Sequence, residues 1–141
     1  MDGETLHVYI IKRPWVDHFL DQVGDMFEIL VFTASLSKYA DPVLDLLDKG
    51  RRIRWRLYRE HCFPHGGNFV KDLTCLGRDL ARTLIVDNSP HAYSFQPENA
   101  IPIATFIDDP EDRGLLDLLP VLLKLEGCAD VREGMRQMKL Q

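Results

Sequence analysis

No apolar run in this chain approaches the length needed to cross a bilayer, so the sequence contains no membrane helix. No basic stretch followed by an apolar one opens it, because Met1 is followed by Asp2, Gly3 and Glu4, and no secretory leader is read. Cysteine is scarce: Cys62, Cys75 and Cys128 are odd in number and form no CxxC pair. That excludes a disulfide framework and points to a reducing, intracellular compartment, nucleus or cytoplasm. Internal repeats, low-complexity tracts and linkers are lacking, which leaves one domain over 1–141. Basic charge is in deficit, 17 Lys and Arg against 22 Asp and Glu for a net charge of −5, and this argues against direct nucleic-acid binding.

What is present suits a globular domain. The 141 residues are 45% hydrophobic and 28% charged, enough for a real core and unlike a disordered tail or a collagen-like chain. Six of the basic residues crowd into 49–59 (KGRRIRWRLYR), where no acid occurs. Their alternation with apolar residues reads as a solvated strand face, or as a surface that steers an anionic peptide.

Strands and helices alternate along the chain. Residues 5–12 read as a strand preceded by an Asp-Gly turn signal. Pro14 then opens a helix with Val16, Phe19, Leu20 and Val23 on one face. Phe27 to Phe32 is a nearly continuous apolar run, as in a strand buried on both faces. Asp41-Pro42 predicts a helix start, and Gly50 its close. Arg52 to Leu57 predicts an alternating strand, 61–68 a loop, and Phe69-Val70, 83–86 and 100–106 further short strands. Residues 115–125 predict a helix bent or interrupted at Pro120, and 130–139 a last one.

This order implies a largely parallel α/β sheet flanked by helices, with its chemistry beyond the C-terminal strand ends. Polar clusters follow those ends: Thr33 with Ser35, Lys71, Asp87 with Asn88, and Asp108 with Asp109. A lysine and a hydroxyl suit a phosphoryl group, and carboxylate and amide oxygens suit Mg²⁺. Together they would stabilise charge in phosphoryl transfer. His61, Cys62 and His65 lie close in sequence but have no further nearby ligand, so they read as an ordinary loop.

The chain resembles phosphatases of the haloacid-dehalogenase superfamily, of the small RNA-polymerase-II C-terminal-domain phosphatase and Dullard (FCP-homology) type. The resemblance rests on KRPWVDHFL (12–20), LVFTAS (30–35), SKYADPVLDLLD (37–48), LYREHC (57–62), NFVKDL (68–73), IVDNSPHAYSFQPENAIPI (85–103) and LLDLLP (115–120). It implies a Mg²⁺-dependent phosphatase acting on phosphoserine or phosphothreonine in a protein partner. Thr33 would hold the phosphoryl group, Lys71 would neutralise it, and Asp87 and Asn88 would form the acidic loop, with Asn88 the direct Mg²⁺ ligand. Tyr39 and Arg59 match positions that contact the phosphopeptide; Val8 and Leu36 match the edge of an apolar pocket for a substrate proline. Dullard-like relatives would add a nuclear-envelope or endoplasmic-reticulum anchor upstream.

The resemblance also implies a nucleophile, the first Asp of DxDx(T/V), that forms an aspartyl-phosphate while the second Asp serves as acid and base. The sequence shows no such strand. Asp2-Gly3-Glu4-Thr5 is superficially similar, but only Met1 precedes it, and it matches a remnant of the β-hairpin insertion that follows the catalytic motif. In the superfamily the nucleophile strand lies between the strands ending at Thr33 and Asp87, so both would lose backbone partners. The favoured expectation is an N-terminally incomplete phosphatase domain, inactive as the isolated chain. The alternatives are an inactive phosphopeptide-binding module or pseudophosphatase, and a segment supplied by another chain.

Overall fold

The chain was described in a computed structural model over residues 9–139; Val8, Asp2 and the expected hairpin remnant lie outside the described residues. Tyr9 to Lys12, expected to end a strand, have no regular structure. Helix α1 (Val16–Gly24) starts two residues after Pro14, because Trp15 takes a left-handed conformation at φ 71°. Strands β1 (Ile29–Phe32) and β2 (Ile53–Leu57) pair in parallel, connected through helix α2 (Ser37–Leu47). Strands β5 (Ile85–Asp87) and β6 (Ala100–Pro102) form a second parallel pair. Helices α3 (Gly114–Glu126) and α4 (Val131–Lys139) complete the chain. The fold is therefore mixed α/β, with small parallel sheets flanked by helices rather than one continuous sheet.

Several local expectations are corrected. The loop predicted over 61–68 is instead a hairpin, β3 (Phe63–His65) and β4 (Asn68–Val70). Its two-residue turn, Gly66-Gly67, has φ of 58° and 81°, the pair of positive values that a tight hairpin turn requires and glycine supplies. Helix α2 begins at Ser37, not at Pro42, so the proline sits inside it and leaves the Lys38 carbonyl without its helical N–H. Helix α3 likewise runs through Pro120, held by the buried Leu118, Leu122 and Leu125. The strand expected over 100–106 stops at Pro102.

The basic strand does not alternate cleanly, because Trp55 is 53% exposed. Much of its charge is neutralised by acids on neighbouring helices. Arg52 bonds Asp25 at 2.6 Å, and Arg56 lies 2.9 Å from both Asp41 and Asp45. That leaves less free charge for steering an anionic peptide than the sequence suggests.

The main core joins α1, α3 and α4 through Val23, Leu118, Leu122, Leu125, Val131 and Met135, with Ile29 of β1 and Val86 of β5 packed against it. A second cluster, Leu73, Ile85 and Ala100, covers the other face of β5. Successive residues of a strand face opposite sides, so Ile85 and Val86 place apolar layers on both faces of β5. Strand β1, an apolar run expected to be buried, is half-buried at all four positions. The physical reason is a cavity of about 360 Å³ beside it, lined by Ile29, Leu30 and Phe32 from β1 and by Ile85, Val86 and Asp87 from β5. Among the described residues no helix is long and apolar enough to cross a membrane.

Glu28 and Arg78 join across the margin of that cavity. The guanidinium donates to the carboxylate at 2.8 and 2.9 Å, and the Trp55 indole N–H donates to it at 2.8 Å. These bonds, Arg78 first, pull the Glu28 carboxyl down from 4.5 to about 2. A carboxyl held below its unfolded value contributes stability that is present above pH 4.5 and is lost as pH falls through about 2. Glu28→Gln is expected to lose less stability than the unaltered chain between pH 4.5 and pH 2, as read by urea unfolding at the two values. Equal losses would show that the bridge is not maintained in solution.

Candidate active site

Lys71 is placed by its neighbours in sequence. Val70 before it is 1% exposed at the end of β4, and Leu73 after it is 3% exposed. The buried Gln96 accepts from the Leu73 N–H at 3.0 Å and donates to Asp72 at 2.8 Å. The Lys71 N–H donates to the Ala92 carbonyl at 2.8 Å. Phe95 packs on the hairpin rings, its centroid 5.6 Å from Phe63 and 5.5 Å from His65. The hairpin that delivers Lys71 is thereby fastened to the loop that carries Asn88.

Asp87 ends β5. Its Oδ2 accepts from Lys71 Nζ at 2.6 Å, and its Oδ1 accepts from the Ser89 N–H at 2.9 Å. Lys71 and Asp87 side chains are only 14% and 10% exposed, so solvent screens this pair poorly. Asn88 Nδ2 donates to Thr105 Oγ1 at 3.0 Å, which fixes the amide and turns its oxygen away from that bond. Lys71, Asp87 and Asn88 line one cleft of about 330 Å³ together with Phe32, Arg13 and Thr105. Phe32 and Asp87 close β1 and β5, so both strands point their C-terminal ends into the cleft.

Arg13 and Thr105 were not anticipated from the sequence. Arg13 is held at the rim by a paired contact with Asp112, at 2.7 and 3.1 Å, and lies 5.6 Å above the Phe106 ring. Its partner is 99 residues away, and no local pattern announces such a pair. Thr105 follows β6 on the same rim as the other strand ends, a position the strand-end rule does single out.

Thr33, Leu36, Tyr39 and Arg59, the remaining expected residues within the described range, are not among those that line the cleft. Thr33 follows Phe32 and is fixed by its N–H to the Leu57 carbonyl at 2.9 Å. Its Oγ1 accepts from the Ser35 N–H at 3.0 Å, which leaves the hydroxyl proton to donate elsewhere. Arg59 donates from Nε to the Ala34 carbonyl at 2.7 Å, and its guanidinium lies 5.1 Å over Phe69. Leu36 and Tyr39, at the start of α2, are 37% and 63% exposed on the same turn. Cys62 beneath it is buried; burial pushes its thiol up, away from the reactive thiolate.

The oxygen donors fit a hard cation better than a soft one. Asp87 offers a carboxylate and Asn88 an amide oxygen. Among the described residues no group of three His, Cys, Asp or Glu side chains is arranged to hold a metal. Oxygen donors of this kind are the ligands that hard cations prefer.

The sequence that builds this cleft is similar to those of known proteins. Residues 1–132 match the family described as NLI interacting factor-like phosphatase. A probable C-terminal domain small phosphatase of Dictyostelium discoideum is 61% identical over 132 residues, covering 94% of this chain and 43% of that protein. CTD small phosphatase-like protein 1 of Caenorhabditis elegans is 58% identical over 131 residues, covering 93% of this chain and 27% of that protein. The human carboxy-terminal domain RNA polymerase II polypeptide A small phosphatase 1 is 54% identical over 137 residues, covering 97% and 52%. The chain thus spans about half the length, or less, of these curated relatives. The family match takes in Lys71, Asp87 and Asn88 along with the strands that present them, and this chain belongs to the NLI interacting factor-like phosphatase family.

Proposed function

We propose that this chain forms most of a Mg²⁺-dependent phosphatase domain that removes phosphate from phosphoserine or phosphothreonine in a protein. The observation that carries this reading is the part-buried Lys71–Asp87 pair at 2.6 Å, beside Asn88, in a cleft at the C-terminal ends of β1 and β5. Lys71 supplies positive charge for a phosphoryl oxygen and for an attacking carboxylate. The free proton of Thr33 donates to a second phosphoryl oxygen once substrate is seated. Asp87 and Asn88 would hold Mg²⁺, which would supply positive charge to neutralise a phosphoryl group. Arg59, Tyr39 and Leu36 form the exposed shelf on which the substrate chain lies. The reacting carboxylate is assigned to a DxDx(T/V) segment that seats between β1 and β5.

Hydrolysis of para-nitrophenyl phosphate with Mg²⁺ tests this. The 141-residue chain is expected to give no turnover, and the chain extended upstream by an apolar segment ending in DxDx(T/V) is expected to turn over. Robust turnover by the short chain, abolished by Asp2→Ala, would show instead that the carboxylate lies within residues 1–8. Failure of the extended chain to turn over while it still binds a phosphopeptide would leave a binding module.

A further inference from the structure

We infer that Thr105 is a positioning residue for Asn88: its hydroxyl holds the side chain so that the amide oxygen, and not the NH2 group, is offered to a cation. The inference rests on the Mg²⁺ reading above and adds a residue to that site. Strand register brings the two side chains to one rim. β5 and β6 run parallel with Asp87 opposite Pro102, and the Ile103 N–H extends the ladder by donating to the Asp87 carbonyl at 3.2 Å. Asn88 follows the end of β5 and Thr105 follows the end of β6, and both line the cleft. Asn88 Nδ2 donates to Thr105 Oγ1 at 3.0 Å. The donors beside Asn88 are committed elsewhere, since Lys71 Nζ and the Ser89 N–H both go to Asp87. Among the described residues Thr105 is the one hydrogen-bond partner of the Asn88 side chain.

Both residues are exposed, so water competes for this bond and the acceptor must be held in place. The segment that carries Thr105 is pinned on both sides of it. Ile103 is tied to Asp87 on one side. On the other, Asp112 accepts two bonds from Arg13, at 2.7 and 3.1 Å, and the guanidinium lies 5.6 Å over the ring of Phe106. Gly114 leaves room for that guanidinium, because an added Cβ would collide with Arg13 Nη2. Thr105 therefore meets Asn88 without the entropic cost of ordering a free loop. An asparagine side chain has three staggered χ1 wells and two amide flips, about six states in all. The flip that presents NH2 repels a cation, and the Thr105 bond selects the opposite one. Loss of that bond leaves the competent state as a minor fraction and lowers cation affinity about fivefold.

One readout needs no metal. In the 141-residue chain the side-chain Nδ2 protons of Asn88 are followed by NMR. Thr105→Val keeps the shape and removes the hydroxyl, and it is expected to move these resonances toward those of a free amide. Thr105→Ser keeps the hydroxyl and is expected to leave them in place. The second readout is affinity for Mn²⁺, used in place of Mg²⁺ with the chain extended upstream and measured from the paramagnetic resonance of the free ion. Thr105→Val is expected to weaken Mn²⁺ binding about fivefold, and Thr105→Ser to bind as the unaltered chain does. Equal urea unfolding of the three proteins would separate this from a merely structural role. Unchanged Mn²⁺ affinity in Thr105→Val, Asn88 resonances that do not respond, or a Thr105→Ser variant as weak as Thr105→Val each overturns the inference. Failure of the phosphatase reading looks different: the extended chain would bind Mn²⁺ with the same dependence on Thr105, leave para-nitrophenyl phosphate intact, and support the inference without the activity. Absence of Mn²⁺ binding by the extended chain would overturn both.

Discussion

Lys71→Met is expected to lower the unfolding free energy by about 2 kcal/mol, less than removing one partner from a fully buried ion pair costs, because this pair is part-buried. The methionine keeps the stem but leaves the Asp87 carboxylate, 10% exposed, facing a thioether. The Ser89 N–H still donates to Oδ1, but Oδ2 loses its only bonded partner among the described residues. The Lys71 backbone is fixed independently by its N–H to Ala92, so the loss measures the side-chain charge and not a displaced loop. The double variant Lys71→Met/Asp87→Asn removes both charges and is expected to recover most of the loss. Urea unfolding of the four proteins in the cycle checks this. A double variant as unstable as the sum of the singles would show that the two groups do not interact in solution. In the upstream-extended chain proposed above, Lys71→Met is also expected to abolish turnover. Because the double variant restores stability and not the ammonium, it is expected to stay inactive, which separates the folding role of Lys71 from its chemical one.

That cleft was partly legible in the sequence. Strand ends followed by polar residues identified Lys71, Asp87 and Asn88, and the structure brings these three together in one cleft. The rule works because a parallel strand aims its carboxyl end at one rim, so local sequence suffices to place the group. Arg13 was not legible, because its position depends on Asp112 at the far end of the chain. The exposed Trp55 eluded the alternation of β2 for a related reason: its indole is drawn out to Glu28, which sits before β1. The Gly66-Gly67 turn has a local signal in the sequence. Paired glycines between short segments signal a tight turn, yet the run before them carries His61, Pro64 and His65, which read as a loop. The half-burial of β1 was illegible, since hydropathy reports what a strand is suited to meet and not what lies beside it.

Leu125→Ala is expected to cost about 2–5 kcal/mol, the range for emptying a leucine site in a rigid core. Leu125 is 0% exposed and sits where α3 meets α4. Gly134 in the middle of α4 makes the outcome a sharper test than a cavity alone. Helix propensity favours alanine there by about 1 kcal/mol. The close approach opposes it: an added Cβ would lie 2.7 Å from Cys128 Sγ and 3.0 Å from Leu125 Cδ2. Gly134→Ala alone is therefore expected to destabilise despite its better propensity. In Leu125→Ala one of the two crowding groups, the leucine methyl, is gone while Cys128 Sγ remains, so Gly134→Ala is expected to cost less in that background. The coupling is expected at about 1 kcal/mol, measured by urea unfolding of the singles and the double. Strict additivity would mean that α4 does not approach α3 this closely.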